Sequence, residues 1–348
     1  MKRKSFETQR FVVRLVLLVF LLCVCVCFVS CAQTGYVSQT YFMMDTVIEI
    51  KLLGDSETAQ PIFSDCGEMM RRVEQALSRT DPESTVARFN AAGEVLLDKD
   101  TAAVLKVALD VFVTTEGAFD PSVERLIALW SSCAAADRLP TEQEMSEALL
   151  CVDASRLTLS GQTRSCADLP TTVDLGGIGK GYAIDQVIAY LKTTPVSGGV
   201  VSFGGNIAVF GAKPSGEPYR IGLKDPSNTS GVLGYLEMES GVISVSGDYE
   251  RYVTIQGQRY HHILDPQTGY PADNGLRSVA VICENGALAD ALSTALFVMG
   301  REKAMEFYRA GHYEFEAIFV TDGEVMLTDG LASSHSFDMA ASGYTLIS

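Results

Sequence analysis

Asp290 and Thr294 stand four positions apart in Asn285-Gly286-Ala287-Leu288-Ala289-Asp290-Ala291-Leu292-Ser293-Thr294-Ala295-Leu296-Phe297, a stretch otherwise dominated by Ala, Leu and Phe. Asn285 as a cap and Gly300 as a stop predict a helix between them. On a helix that spacing places the carboxylate and the hydroxyl on one face, with Ser293 beside them. Both are hard oxygen ligands, suited to Mg2+ and poor for zinc, and an ion held this way also takes waters and ligand phosphates. An uncompensated Asp on a helix that is apolar nearly all round would cost several kcal/mol. A bound cation removes that cost, which favours a metal site over a plain polar stripe.

A second stretch, Thr171-Thr172-Val173-Asp174-Leu175-Gly176-Gly177-Ile178-Gly179-Lys180-Gly181-Tyr182-Ala183-Ile184-Asp185, reads as a short strand ending in an acid, a glycine-dense turn with one lysine, and a helix over 182–192. Glycine at 176, 177, 179 and 181 lets a ligand approach the main chain closely. Amide groups at a helix start attract anions, so the stretch points to a phosphate-bearing ligand. It is not a Walker loop, because Gly181 rather than Ser or Thr follows Lys180, and its glycines lack the dinucleotide G-x-G-x-x-G spacing.

A third candidate lies in Arg259-Tyr260-His261-His262-Ile263-Leu264-Asp265-Pro266-Gln267-Thr268-Gly269. Adjacent residues on a strand point to opposite faces, so the two histidines do not enter one site and one functional His is expected. Gly117-Ala118-Phe119-Asp120-Pro121 follows a predicted helix stop; an exposed Phe119 there would stack on an aromatic ligand, whereas a buried one would pack the turn. Met43 and Met44 are either core filler or a soft surface for a flat ring.

The elements that must position these residues are mixed. Alternation predicts a strand from Thr46 to Leu52, and apolar spacing predicts a helix over 60–78. Ser84 opens a short helix ended near Gly93, and Asp100 caps a longer one stopped at Gly117. Helical segments follow at 123–129 and 141–150, then a strand at 156–160. The second half is richer in strands: two joined by Gly204-Gly205-Asn206, and others at 219–223, 235–238 and 242–246. Blocks of helices with antiparallel-looking strands indicate an α+β fold rather than a doubly wound sheet.

The first thirty residues read as an address. Lys2, Arg3, Lys4, Arg10 and Arg14 precede an apolar run from Leu15 to Val29, as in a secretory signal. Ser30-Cys31 resembles a lipoprotein cleavage site, with residues 1–30 removed and Cys31 lipidated, although Phe28 replaces the usual Leu. The chain carries 27 basic and 43 acidic residues for a net charge of −16. Loss of that leader, with its five basic residues and Glu7, leaves the body about four units more negative, a composition that excludes nucleic-acid binding as a leading function. Of nine cysteines, Cys23, Cys25, Cys27 and Cys31 belong to the leader region. The remaining Cys66, Cys133, Cys151, Cys166 and Cys283 show no C-x-x-C spacing, which argues against a zinc site or a disulfide scaffold and leaves a single bridge open. Residues 31–348 then form the folded part, with no long Pro or Ser linker to divide it.

Three ordered motifs, Asp174-Leu175-Gly176-Gly177-Ile178-Gly179-Lys180-Gly181-Tyr182-Ala183, His262-Ile263-Leu264-Asp265-Pro266-Gln267-Thr268-Gly269 and Asp290-Ala291-Leu292-Ser293-Thr294-Ala295, together resemble the ApbE family of FAD:protein FMN transferases. Met43-Met44-Asp45-Thr46, Gly117-Ala118-Phe119-Asp120-Pro121 and Gly204-Gly205-Asn206 fit the same pattern. The resemblance implies a T-fold-type α+β architecture with mixed and antiparallel sheets. It implies an exported, lipid-anchored enzyme at the periplasmic side of the bacterial inner membrane. Such an enzyme cleaves FAD with Mg2+ and transfers FMN to a threonine of a partner, typically a subunit of a membrane redox pump, releasing AMP. By position it implies that Asp290 and Thr294 hold the metal with the carbonyl of Gly177, with Ser293 nearby. Met44, Ala118, Phe119, Asp120, Asp174, Lys180, His262 and Ile263 would contact FAD. His262 is the candidate base for the threonine hydroxyl. An FAD pyrophosphatase and a non-catalytic flavin-binding lipoprotein are the competing readings.

Overall fold

The computed structural model describes residues 35–160, 163–166 and 171–347. The leader and the cleavage site before Cys31 lie outside the described residues. In chain order the first half contains β1 (Tyr36–Met43), β2 (Thr46–Leu53), α1 (Ser56–Leu77), α2 (Thr85–Ala92), β3 (Glu94–Leu96), α3 (Lys99–Thr114), α4 (Glu124–Ala135), α5 (Glu142–Leu149), β4 (Leu157–Ser160), β5 (Thr163–Cys166) and α6 (Gly176–Leu191). Next come β6 (Gly198–Phe203), β7 (Asn206–Gly211), β8 (Tyr219–Lys224), β9 (Val232–Met238), β10 (Gly241–Gly247), β11 (Tyr252–Ile255) and β12 (Gln258–His261). The chain closes with β13 (Ser278–Cys283), α7 (Gly286–Met299), α8 (Arg301–Ala310), β14 (Glu316–Val320), β15 (Glu324–Leu327), α9 (Asp329–Ser334), β16 (Phe337–Met339) and β17 (Thr345–Ile347).

Among the described residues the backbone of the fold is a 9-stranded sheet in the order β1-β2-β6-β7-β10-β13-β14-β15-β17. Its neighbours pair antiparallel except β15 with β17. The period of two along each strand sorts its side chains into two cores. On one face Ile48, Ile50, Val201, Phe203, Ala208, Val242 and Val281 meet α1, α3, α6 and α7. On the other, Val209, Ile243, Ala280 and Ile318 meet the small sheet β16-β9-β8. A satellite cluster of Leu126, Trp130, Met145 and Ile255 ties the β11–β12 hairpin to α4 and α5. The α+β class expected from the sequence is therefore the observed one. Among the described residues no helix is long and apolar enough to cross a membrane.

Several element ends differ from the sequence reading. β1 precedes the strand expected from Thr46; its inward side is only half-buried, so pairing with β2 rather than hydrophobic alternation makes it a strand. α3 is capped by Asp98, whose carboxylate accepts from the amides of Asp100 and Thr101. Asp100 instead turns inward to Arg72 and the hydroxyl of Tyr182. Cys66, Cys133, Cys151 and Cys283 are free thiols.

The largest difference concerns the glycine stretch. Thr171–Asp174 belongs to no strand of the described sheets: the Asn90 side chain takes both the amide and the carbonyl of Val173, and Pro121 accepts from the amide of Asp174. The glycines themselves are helical, because α6 starts at Gly176, six residues before the predicted start. Four helical glycines lower propensity by roughly 1 kcal/mol each, so packing must supply the stabilisation. It does so at Gly181, where an added Cβ would lie 2.0 Å from the carbonyl oxygen of Gly286 and 2.8 Å from Cβ of Asp290.

That contact makes a prediction. Gly181→Ala should destabilise the fold by about 3 kcal/mol through overpacking, despite alanine's better helix propensity. Gly323→Ala, at an open site with nothing within 4 Å, is the control. Urea melts of the two variants check this, and equal midpoints would contradict it.

Candidate functional site

The close approach of α6 to α7 brings the first two sequence candidates together. Asp290 is 4% exposed, and its two oxygens have different partners. Oδ2 accepts from the Gly181 amide at 2.9 Å. In a regular helix that amide serves the carbonyl of Gly177, so the Asp290 carboxylate competes for the donor and favours a free Gly177 oxygen. Oδ1 lies 3.7 Å from Nζ of Lys180 and 3.3 Å from the Ser244 hydroxyl. Thr294 is half-buried, and its Oγ1 would lie 3.8 Å from a Cβ placed on Gly177. Asp290, Thr294 and the main chain of Gly177 thus lie close together.

Ser293 lies beside these groups. It is fully buried, donates to the carbonyl of Asp290 at 2.9 Å, and lies 2.8 Å from Ser246 and 3.3 Å from Ser244. Its hydroxyl braces the helix, whereas that of Thr294 is only half-buried, 3.3 Å from the Ser246 hydroxyl and 3.5 Å from the Asp290 carbonyl. Ser244 and Ser246 alternate with Val245 on β10, which directs both toward α7. Ser244 donates to Oδ1 of Asn206 at 2.8 Å. Asn206, Ser244 and Ser246 therefore form a polar floor that sequence reasoning missed. Its only signal was a strand with Ser at alternate positions facing what had to be an apolar layer.

The donor chemistry fits a hard cation such as Mg2+: one carboxylate, one hydroxyl and one main-chain carbonyl, with no imidazole or thiolate. Among the described residues no group of three or more His, Cys, Asp or Glu could hold a metal ion, so a cation here would rely on hydroxyl and main-chain oxygens beside Asp290.

Asp174 and Phe119 are drawn into the support. The Asp174 carboxylate accepts from the Gly176 amide at 2.7 Å and pairs with Arg79 at 3.0 Å. Burial raises its pKa above the ordinary carboxylate value, opposed by the Gly176 amide and Arg79. The helix start thus already holds the protein's own anion, and Lys180 is the group left for a ligand phosphate. Phe119 is not an exposed stacking ring: it is 5% exposed and would touch a Cβ on Gly177 at 3.2 Å, so it wedges the turn from below. Asp120 is buried, accepting from the amide and hydroxyl of Ser122. Ala118, half-buried beside them, packs against the main core.

The rim carries the remaining candidates. Met44 and Asp45 form the two-residue turn of the β1–β2 hairpin with φ 52° and 56°, a left-handed conformation that Asp tolerates and Met rarely adopts. Glu74 accepts from the Met44 amide at 2.6 Å and Arg251 donates to the Asp45 carbonyl at 3.2 Å, which holds the strained turn in place. The Met44 methyl would lie 3.5 Å from a Cβ on Gly179, directly over the start of α6. His261 ends β12 and faces inward, its Nε2 3.1 Å from the Ala272 carbonyl and its ring edge-on to Phe297. His262 lies on the solvent side, so the two histidines do part as expected. Ile263 points into the core and its carbonyl accepts from Ala272, anchoring the main chain behind His262.

The amide and Nδ1 of His262 both meet the carbonyl of Arg251, at 3.1 and 3.0 Å. A carbonyl accepts only, so Nδ1 carries the proton and Nε2 keeps its lone pair. Crowding at the rim, then the cations Lys180 and Arg251 and the neighbouring His261, push the imidazole down to about 4, against the Arg251 carbonyl. His262 is thus a neutral base at ordinary pH.

The sequence profile of the ApbE family matches residues 44–319. The FAD:protein FMN transferase of Vibrio cholerae is 33% identical over 291 residues, spanning 80% of this chain and 86% of the relative. That of Haemophilus influenzae is 30% identical over 305 residues, 83% and 88% of the two chains. Among solved structures, the ApbE protein of Thermotoga maritima superposes with a TM-score of 0.78 at 32% identity, covering 86% of this chain and 99% of its own. The flavin transferase ApbE of Vibrio cholerae does so with a TM-score of 0.78 at 28% identity, covering 86% and 99%.

Asp290→Asn keeps the shape of the site and removes its only carboxylate. It should weaken Mg2+ binding, measured by calorimetric titration, by about tenfold or more. Unchanged Mg2+ affinity would remove Asp290 from the donor set.

Proposed function

This chain belongs to the ApbE family, and on that footing we propose that it transfers FMN from FAD to a threonine hydroxyl of an acceptor protein, in a Mg2+-dependent reaction that releases AMP. The observation that carries the reading is the convergence of an oxygen donor set on α6 and α7 with Lys180 and a neutral His262. Phosphoryl transfer asks mainly for positioning and charge neutralisation.

In this reading the threonine oxygen bonds to the phosphorus of the FMN half as the bond from that phosphorus to the bridging oxygen breaks. AMP leaves with the bridging oxygen, and the hydroxyl proton passes to Nε2 of His262. Asp290, Thr294 and the Gly177 carbonyl would hold Mg2+, which when bound neutralises charge on the pyrophosphate. Lys180 supplies a second positive charge beside it, and Arg251 keeps His262 in the tautomer that can accept the proton. Met44, fixed in its strained turn over α6, offers a polarisable surface at the mouth.

The acceptor is assigned as a threonine-bearing subunit of a membrane redox complex. The basic and apolar leader and Cys31 support export and lipid attachment at the periplasmic face of the inner membrane, and the net charge of −16 is unsuited to nucleic acid. Incubation of the mature protein with FAD, Mg2+ and a candidate subunit tests the whole reading through AMP, free FMN and acceptor mass. An acceptor heavier by one FMN, with matching AMP, supports it. AMP and free FMN in equal amounts with no acceptor tested becoming heavier favours a pyrophosphatase, and no AMP at any metal concentration favours a flavin-binding lipoprotein.

Two outcomes are specific to His262. His262→Asn should leave FAD affinity nearly unchanged and slow transfer by roughly 10²–10⁴-fold; unchanged transfer would sink the role. Because the fold disfavours the protonated ring, the base form persists as pH falls through the ordinary histidine value of about 6.5. The acid limb of kcat/KM is then expected below that value.

A further inference from the structure

The metal-donor helix is held by a carboxylate that belongs to the other helix. Asp185, on α6, reaches the start of α7, where its Oδ1 accepts from the Gly286 amide at 2.6 Å and its Oδ2 from the Ala287 amide at 2.9 Å. The next amide, that of Leu288, is taken by the α7 cap Asn285 at 2.8 Å. The first turn of α7 is thus satisfied from two sides. In return Asp290 of α7 accepts from the Gly181 amide of α6. Each helix offers a carboxylate to the other's main chain, and between the two bonds the backbones touch: a Cβ on Gly286 would lie 2.5 Å from the Gly181 carbonyl oxygen and 2.9 Å from Oδ1 of Asp185.

α7 has a cap of its own in Asn285, so Asp185 is not needed merely to end the helix. What two bonds from a neighbouring helix add is direction, since a bidentate carboxylate fixes both the rotation of α7 about its axis and its slide along α6. Asp290 and Thr294 lie on the turns that follow Gly286, and Gly177 lies two turns before Asp185 on α6. Rotation or slide of α7 would therefore change the separation of Asp290 and Thr294 from the Gly177 carbonyl. Burial raises the Asp185 carboxyl to about 6, with the charge of Asp290 adding to it and the two amides opposing. Keeping a carboxylate there works against its own solvation, as expected of a group retained for geometry.

We propose that Asp185 is the positioning residue of the metal site, holding α7 in the register on α6 at which Asp290, Thr294 and the Gly177 carbonyl share one cation. The proposal rests on the reading of those three groups as metal donors. Groups behind first ligands typically alter metal affinity by about 10–100-fold when changed.

The test titrates Mn2+ alone into the purified protein, with binding read from the loss of the free-ion EPR signal, beside the melting temperature and the Mg2+ dependence of AMP release. Asp185→Asn replaces one acceptor by a donor facing the Ala287 amide. It should weaken Mn2+ binding about tenfold and move the Mg2+ midpoint of AMP release by a similar factor, with the rate at saturating Mg2+ largely retained. Asn285→Ala removes a cap from the same helix without touching its register, and should lower the melting temperature while leaving Mn2+ affinity at the wild-type value. Asp185→Glu, which keeps both acceptors on a longer arm, provides a second variant if Asp185→Asn does not fold, and should shift the metal midpoint in the same direction. Wild-type Mn2+ affinity in a folded Asp185 variant, with only the melting temperature changed, overturns the proposal. Failure of the underlying reading looks different: Asp290→Asn would then bind Mn2+ as the wild type does.

Discussion

The approach of two main chains at Gly181 and Gly286 is the constraint on which the site depends. With a Cβ on either residue the helices would have to move apart, stretching the 2.9 Å bond from the Gly181 amide to Asp290. That amide is also the usual partner of the Gly177 carbonyl, so one contact both anchors the buried carboxylate and favours an open main-chain oxygen beside it. The low helix propensity of the glycines is offset by what the approach permits: α6 and α7 bury Ile178, Ala183, Val187, Ala291 and Leu292 in the same core.

Around this contact the protein is built polar within an apolar layer. Asp290 sits between Lys180 at 3.7 Å and the hydroxyl of Ser244, and Ser244 is in turn oriented by Asn206. A carboxylate in such surroundings has hydrogen bonds and a nearby cation, which removes much of the cost of burying it. The whole chain carries a net charge of −16, yet Lys180, Arg251 and Arg79 converge near the glycine start of α6. Local placement of cations, rather than overall charge, is what suits the site to a polyanionic ligand.

The site has two supports of different size. The donor set belongs to helices in the main core, whereas His262 follows a short hairpin seated on the satellite cluster of Leu126, Trp130, Met145 and Ile255. Trp130 steadies that region by donating to the Gly269 carbonyl at 2.8 Å, and its ring packs against Tyr260 and Tyr270. His262 is thus fixed on the smaller of these two supports, and Lys180 and Asp290 on the larger and more buried one.

What the sequence determined by itself was local and periodic. The Asn285 and Gly300 signals bounded α7, the four-residue spacing put Asp290 and Thr294 on one face, and neighbouring positions on a strand separated His261 from His262. Those readings hold because helix and strand periods are properties of the chain alone. The α+β class followed from the same periodicities. What the sequence left open depended on partners distant along the chain. Thr171–Asp174 has the composition of a strand but is completed by Asn90 and Pro121, and the glycines that resemble a turn are helical because α7 packs against them. Phe119 and Ser293, plausible ligand contacts by position, were drawn inward, the one under Gly177 and the other into the hydroxyl floor of β10. Only the tertiary structure decided these, because the free energy of a glycine helix or a buried hydroxyl is set by what lies opposite it, and no local pattern encodes that.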